Sequence, residues 1–155
     1  MINASEQMQK RPMQPLFEAL ISLGASAEWL GEAWHLPVRI TGAGAQIRSL
    51  EQKAVLNLDI STSTQFLSAF LLIAPMFPHG IRIHITSEKK DGSYIRITRK
   101  MMQEFGVEAG FDGCDYTVAP FDGYQKTEYQ IEPDVSGACY CYAAAAMSGG
   151  SAKVK

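Results

Sequence analysis

Four consecutive hydroxyl-bearing residues, Ser61-Thr62-Ser63-Thr64, stand with Gln65 directly before a strongly apolar run. That run, Gln65–Ala74, reads as a helix, which puts the hydroxyls at its start. The first amides of a helix lack internal partners and the macrodipole is positive there, so the place suits an anion. Gln65 adds an amide that both donates and accepts hydrogen bonds. One serine or threonine is enough for an ordinary N-cap, and that plainer reading stays open. Four hydroxyls exceed what a cap uses, which favours a ligand that accepts several hydrogen bonds.

Lys10-Arg11-Pro12 precedes another helical pattern, Pro15–Leu23. A cation at a helix start opposes the macrodipole unless an anion sits between them. Arg11, with its planar fork of donors, is therefore a candidate clamp for a carboxylate or phosphate, against the default of a solvated arginine. Asp134 and Ser136 read as an N-cap, since a helix start stabilises the aspartate as the anion. His35, His79 and His84 lack metal-ligand spacing, and His84 falls on the face of its strand opposite Ile81, Ile83 and Ile85. Lys89-Lys90-Asp91-Gly92 reads as a charged, solvated turn before the next helix. No Walker, G-x-G-x-x-G, H-E-x-x-H or G-x-S-x-G pattern occurs.

The elements that must position these residues are compatible with one medium-sized α/β unit. The chain has 155 residues, 46% hydrophobic and 19% charged, enough for a core of its own. A formal charge of -2 predicts no general attraction to nucleic acid or an anionic membrane surface. The N-terminus has no apolar h-region, and the apolar stretch 66–76 is too short to span a bilayer. Cys114, Cys139 and Cys141 form no C-x-x-C pair, and their odd number excludes a complete disulfide framework. They read as reduced, partly buried thiols, and the expected location is cytoplasmic.

One order of elements recurs. A helix over Pro15–Leu23 ends at Gly24, followed by strands at Ala27–Leu30, Pro37–Ile40 and Ala54–Ile60, then the hydroxyl cap, the helix Gln65–Ala74 with its limit at Pro75, Gly80, and the strand Ile81–Thr86. The second copy runs from the helix Tyr94–Phe105 through Gly106, strands at Glu108–Phe111, Tyr116–Val118 and Tyr129–Glu132, to the cap at Asp134 and the alanine-rich helix Ala138–Met147, closed by Gly149-Gly150. A period of about 80 residues is too long for a solenoid and implies a duplicated βαβαββ unit. Parallel pairing across the helices is expected.

Four strings carry a resemblance. SEQMQKRPMQPLFEALISLGA is similar to S-E-R-x-x-x-R-P-[MI]-x-P-L-x-x-A-L-x-x-L-G-A of the 3-phosphoshikimate 1-carboxyvinyltransferases. STSTQFLSAFLLIAP resembles their S-S-Q-F-[LV]-[ST]-A-L-L-x-x-A-P, SYIRITRKMMQEFGV their P-Y-I-D-[IM]-T-x-x-[ML]-M-x-x-F-G-V, and DVSGACYCYAAAAMSGG their D-A-S-S-A-S-Y-F-L-A-A-A-A-x-x-G-G. The matches run in order over nearly the whole chain. The resemblance implies an internal piece of a two-lobed enzyme of the inside-out α/β barrel type, each lobe built from βαβαββ units whose helix starts face the cleft. It also implies transfer of the enolpyruvyl group of phosphoenolpyruvate to the 5-hydroxyl of shikimate 3-phosphate through a tetrahedral intermediate, without metal or organic cofactor.

By the matching positions, the resemblance makes Arg11 a phosphoenolpyruvate contact, Ser63 and Thr64 shikimate 3-phosphate contacts, Gln65 a neighbour of both substrates and Tyr94 a neighbour of the shikimate ring. Two departures stand out: Thr64 replaces a serine, and Asp91 stands where the family has a phosphate-binding serine. An acid facing a phosphate repels it, so Ser93 replaces that contact from a shifted turn or the contact is lost. The family's other substrate contacts, and its catalytic aspartate and glutamate, fall upstream of Met1 and downstream of Lys155, so no catalytic residue is assigned here and no turnover by this chain alone is expected. The end at Lys155, just where a strand is expected, reads as that of a shortened chain. The expected division is 1–86 as the second unit, 87–128 as the third, and 129–155 as the crossing into the other lobe. The loose helix over 136–147, with Tyr140, Tyr142 and Met147 on one face, is expected to dock or self-associate. Three rivals remain: the sister enolpyruvyl transferase acting on UDP-N-acetylglucosamine, which lacks the S-S-Q-F string, a non-catalytic anion-binding module of the same fold, and a purely structural domain without ligand in which the hydroxyl cluster is only a cap.

Overall fold

The computed structural model describes residues 1–125, 128–131 and 134–154. Its main sheet is built from β3 (Ala54–Leu58), β4 (Ile81–Ile85), β5 (Ala109–Phe111) and β6 (Asp115–Val118), in the order β3-β4-β6-β5. Helix α4 (Gln65–Ile73) joins β3 to β4, and α5 (Ser93–Glu104) joins β4 to β5. The order β-α-β-α-β-β is therefore one complete unit. It contains strands from both sides of the expected division at 86/87.

Pairing follows connection length. The long crossover through α4 makes β3 and β4 parallel, Ala54 facing Ile81 through to Leu58 facing Ile85. Only residues 112–114 separate β5 from β6, which permits a hairpin and nothing else, so β6 turns back and pairs antiparallel with both β5 and β4. The parallel pairing expected across the helices holds for β3 and β4, joined through α4; across α5, β5 runs parallel to β4 but β6 lies between them.

The strands alternate as a half-buried sheet requires. Leu56, Leu58, Ile81, Ile83, Ile85, Tyr116 and Val118 face one side and are buried. Leu67, Phe70 and Leu71 of α4, with Ile95 and Met102 of α5, cover that side, and Ala19 of α2 (Gln14–Ser22) joins the same core. The opposite face is polar, with Arg82, His84 and Asp115 in a cross-strand ion cluster, His84 Nδ1 lying 2.5 Å from Asp115 Oδ1.

Before this unit, α1 (Glu6–Gln9), α2, the antiparallel hairpin of β1 (Ser26–Trp29) and β2 (Val38–Thr41), and α3 (Gly44–Arg48) form a second, smaller layer. Its own core is Phe17, Leu36 and Val38, with Trp29 edge-on to Phe17 at 4.7 Å. The helix–glycine–hairpin order that recurs in the sequence recurs in space. Gly24 and Gly106 both adopt positive φ, and in each case the next amide bonds back five residues, Ala25 to Leu20 and Val107 to Met102. These are Schellman ends, which need a residue free of Cβ strain.

Helix α4 ends at Ile73, within the limit set by Pro75, and a 3-10 turn follows over Ala74–Met76. Two expectations change. Tyr129–Ile131 are irregular instead of a strand, and Glu132 lies outside the described residues. All three cysteines are exposed instead of partly buried: Cys114 lies in the turn between β5 and β6, and Cys139 and Cys141 sit on α6 (Val135–Ser148), where only Ala138 is buried. Tyr140 and Met147 on the same helix are 80% and 89% exposed.

Gly80 closes the loop into β4 at φ 73°, and a Cβ there would lie 2.4 Å from the Val118 carbonyl oxygen. Gly113 has φ 107° and open space around it. Replacing Gly113 by alanine should cost about 1–2 kcal/mol of backbone strain. Gly80→Ala adds displacement of β6 and should cost more than that, about 3 kcal/mol or above. Urea unfolding of the two variants checks the order; equal losses would show that the close approach is easily relieved.

Candidate functional site

Helices α4 and α5 lie side by side over the sheet, and their starts are level. A Cβ at Gly92, the residue before α5, would lie 3.3 Å from Thr64 Cγ2, the residue before α4. Lower down, Thr98 donates to Ser68 at 3.0 Å across the helix pair. Neither start carries a side-chain cap in the strict sense, so first-turn amides of both helices remain open.

The hydroxyl run is used sparingly by the protein itself. Ser63 Oγ accepts from the Gln65 amide at 3.2 Å, a turn bond within the run. Ser61 faces the other way: its hydroxyl and amide bind Asp59 and hold that carboxyl below its ordinary range. Thr62, Ser63 and Gln65 border an open hollow of about 440 Å³ on the flank of α4. Arg11 forms its opposite rim, with Met8, Met13, Leu16, Phe66 and Ala69 as an apolar wall.

Arg11 reaches the hollow because the N-terminal segment is folded back. The Ile2 amide bonds the Val38 carbonyl at 2.8 Å, α1 makes one turn, and the Arg11 amide donates to Met8 at 3.1 Å. Among the described residues no acid pairs with Arg11. A cation with no protein partner, beside two hydroxyls and an amide in a partly apolar hollow, favours binding of a small anion over binding of a cation.

Of the residues singled out in the sequence, Arg11, Ser63 and Gln65 thus share one hollow. Thr64 does not line it and turns toward Gly92, between the two helix starts. Tyr94 stands in the first turn of α5, 67% exposed, outside that hollow. Together the five follow a line from Arg11 across α4 to the start of α5 instead of enclosing a single cavity.

The turn before α5 was not legible as structure. Lys90 Nζ donates to the Ile85 carbonyl at 2.6 Å, so this turn is partly packed instead of merely solvated. Asp91 Oδ2 lies 2.8 Å from Arg96 Nη1, and Asp91 Oδ1 lies 3.2 Å from the Tyr116 hydroxyl. Burial works to raise the Asp91 carboxyl, but the Gly92 amide, Arg96 and Tyr116 outweigh it and hold the group below the usual carboxylate range. Burial, then the Asp91 charge, pushes the Tyr116 phenol up. Asp91 is therefore a fixed anion at neutral pH. Tyr116 had shown itself only as a strand residue; an aromatic with a polar tip, buried beside a charged turn, was the available signal. Among the described residues no group of three or more His, Cys, Asp or Glu is arranged to hold a metal ion.

The architecture is that of an α/β protein: a βαβαββ unit with level helix starts, hydroxyls on one start, and beside it an arginine that pairs with no acid among the described residues. The sequence model described as EPSP synthase (3-phosphoshikimate 1-carboxyvinyltransferase) matches residues 3–155, and the chain belongs to that family. Similar relatives named 3-phosphoshikimate 1-carboxyvinyltransferase come from Vibrio vulnificus, at 34% identity over 155 residues, and Erwinia tasmaniensis, at 36% over 159 residues. Each alignment covers 99% of this chain and 35% of the relative, so the chain spans about a third of their length. A solved EPSP synthase from Acinetobacter baumannii superposes with a TM-score of 0.62 at 22% identity, covering 89% of this chain and 28% of that one, and supports the fold.

Proposed function

We propose that this chain supplies part of the substrate-binding wall of a 3-phosphoshikimate 1-carboxyvinyltransferase, in which Ser63 and Thr64 bind the phosphate of shikimate 3-phosphate and Arg11 binds the carboxylate or phosphate of phosphoenolpyruvate. The observation that carries this reading is the shared hollow of Arg11, Ser63 and Gln65. Gln65 stands between the two anion positions, and its amide can serve both ligands. Tyr94, exposed at the start of α5, offers a flat apolar face to the carbocycle. The protein that would do this work is cytoplasmic.

In the reaction the 5-hydroxyl gives up its proton as its oxygen bonds to C2 of phosphoenolpyruvate and C3 gains a proton; phosphate is then expelled from C2 as C3 loses a proton. Two polyanions must be held together and protons moved between them, which needs charge and acid–base groups on both sides of the cleft. The residues described here bind and orient; none of them is assigned a proton-transfer role. The 155-residue chain alone should therefore bind and not turn over. The UDP-N-acetylglucosamine reading loses ground to the family match over the whole chain.

Isothermal titration should give weak but saturable binding of shikimate 3-phosphate, with no binding of a UDP-sugar. Arg11→Ala should weaken phosphoenolpyruvate about tenfold or more, the usual loss for one charge-assisted contact. Phosphate release at an enzyme-like rate from both substrates would refute the binding-only role, and equal affinity for simple phosphate and shikimate 3-phosphate would favour a generic anion module.

The same reading places α6, with its exposed Tyr140 and Met147, in a contact that is absent from a single 155-residue chain. The isolated chain should self-associate through this helix. Light scattering should show a mass above 17.0 kDa that rises with concentration; a strict monomer at high concentration would contradict it.

A further inference from the structure

We infer that Arg96 is a positioning residue for the phosphate site, acting through Asp91: it holds the Asp91 carboxylate on the side of α5 away from Ser63 and Thr64, so that an acid can stand at the rim without repelling a phosphomonoester. The inference rests on the binding reading above and adds to it the residue that decides whether a phosphate is tolerated. A Cβ at Gly92 would lie 3.3 Å from Thr64 Cγ2, which puts Asp91 one residue from the close approach of the two helix starts. A carboxylate turned toward that contact would meet a bound phosphate at short range, where like charges are costly.

Both oxygens of Asp91 are instead engaged from the far side. Arg96 shares a surface of α5 with Arg99, Lys100 and Gln103 that borders Glu108 and Ala109, whereas Thr98 on the other flank bonds Ser68 of α4. The Tyr116 hydroxyl reaches Asp91 from β6, and β6 lies beyond β4 from β3. Arg96 Nη2 also lies 3.5 Å from Ser93 Oγ, at the edge of a hydrogen bond, so the Ser93 hydroxyl in the first turn is not firmly committed.

The test is a double-mutant cycle on the 155-residue chain, read by titration with shikimate 3-phosphate and with unphosphorylated shikimate. Arg96→Ala should weaken shikimate 3-phosphate about tenfold and leave shikimate unchanged, because the freed carboxylate opposes only the phosphate. Arg96→Lys should keep most of the affinity. In an Asp91→Ser background, Arg96→Ala should have no effect, since no acid remains to be restrained. Unchanged affinity in Arg96→Ala, an equal loss for both ligands, or the same loss in the Asp91→Ser background would each overturn the inference. Wild type that binds shikimate 3-phosphate no more tightly than shikimate would overturn the phosphate-site reading itself, and the inference with it. Matching circular dichroism spectra separate all of these from loss of fold.

Discussion

The packing of α4 against α5 on one face of a single sheet sets everything else. Both helices leave parallel-running strands, β3 and β4, from the same end, so their starts arrive level and adjacent. Leu67, Phe70 and Leu71 on one helix and Ile95 and Met102 on the other are buried against the same strands and fix that alignment. Two positive helix ends brought together would oppose each other unless water or an anion lies between them. The fold thus creates a place for negative charge before any particular side chain is considered.

Side chains then decide which charge. Ser63 and Thr64 bring hydroxyls to one start, and Arg11 reaches the flank because the N-terminal segment is pinned to β2 through Ile2 and Val38. The apolar wall of Met8, Met13, Leu16, Phe66 and Ala69 lowers the share of water around Arg11 and strengthens whatever ion pair it makes. Asp91 runs against this pattern, and the protein answers it locally with Arg96 and the buried Tyr116 hydroxyl. A violation of the charge rule beside the proposed binding site, compensated by neighbours, is where site residues and scaffold residues meet.

Much of the fold was legible from periodicity and punctuation. Alternation marked Ala54–Ile60 and Ile81–Thr86 as strands, which the structure shortens to Ala54–Leu58 and Ile81–Ile85, and Gly24 and Gly106 marked helix ends that the structure closes in the same way. The topology was harder. The three-residue turn at 112–114 forces β5 and β6 into a hairpin, but nothing in 109–118 tells which of the two strands pairs with β4; the sheet places β6 there. The repeat was visible but its phase was not, because the sequence shows the recurring helix–glycine–hairpin as readily as the β-α-β-α-β-β frame that the sheet adopts. At the site, Arg11 and the hydroxyl run were signalled by charge and residue type at helix starts. The Asp91–Arg96–Tyr116 group was not, since it joins a turn, a helix and a strand separated by 25 residues between Asp91 and Tyr116. Nor does sequence tell that Thr64 lies beside Gly92 while Ser63 lines the hollow that Arg11 borders.

The central claim is that the level helix starts and Arg11 serve one pair of neighbouring anions. Backbone amide NMR during titration with shikimate 3-phosphate measures this directly. The account predicts that the amides of Ser63, Thr64, Gln65, Ser93 and Tyr94 shift together, saturating with one affinity, and that Arg11 responds when phosphoenolpyruvate is added. Shifts confined to the outer sheet face around Arg82 and His84, or none at either helix start, would contradict it.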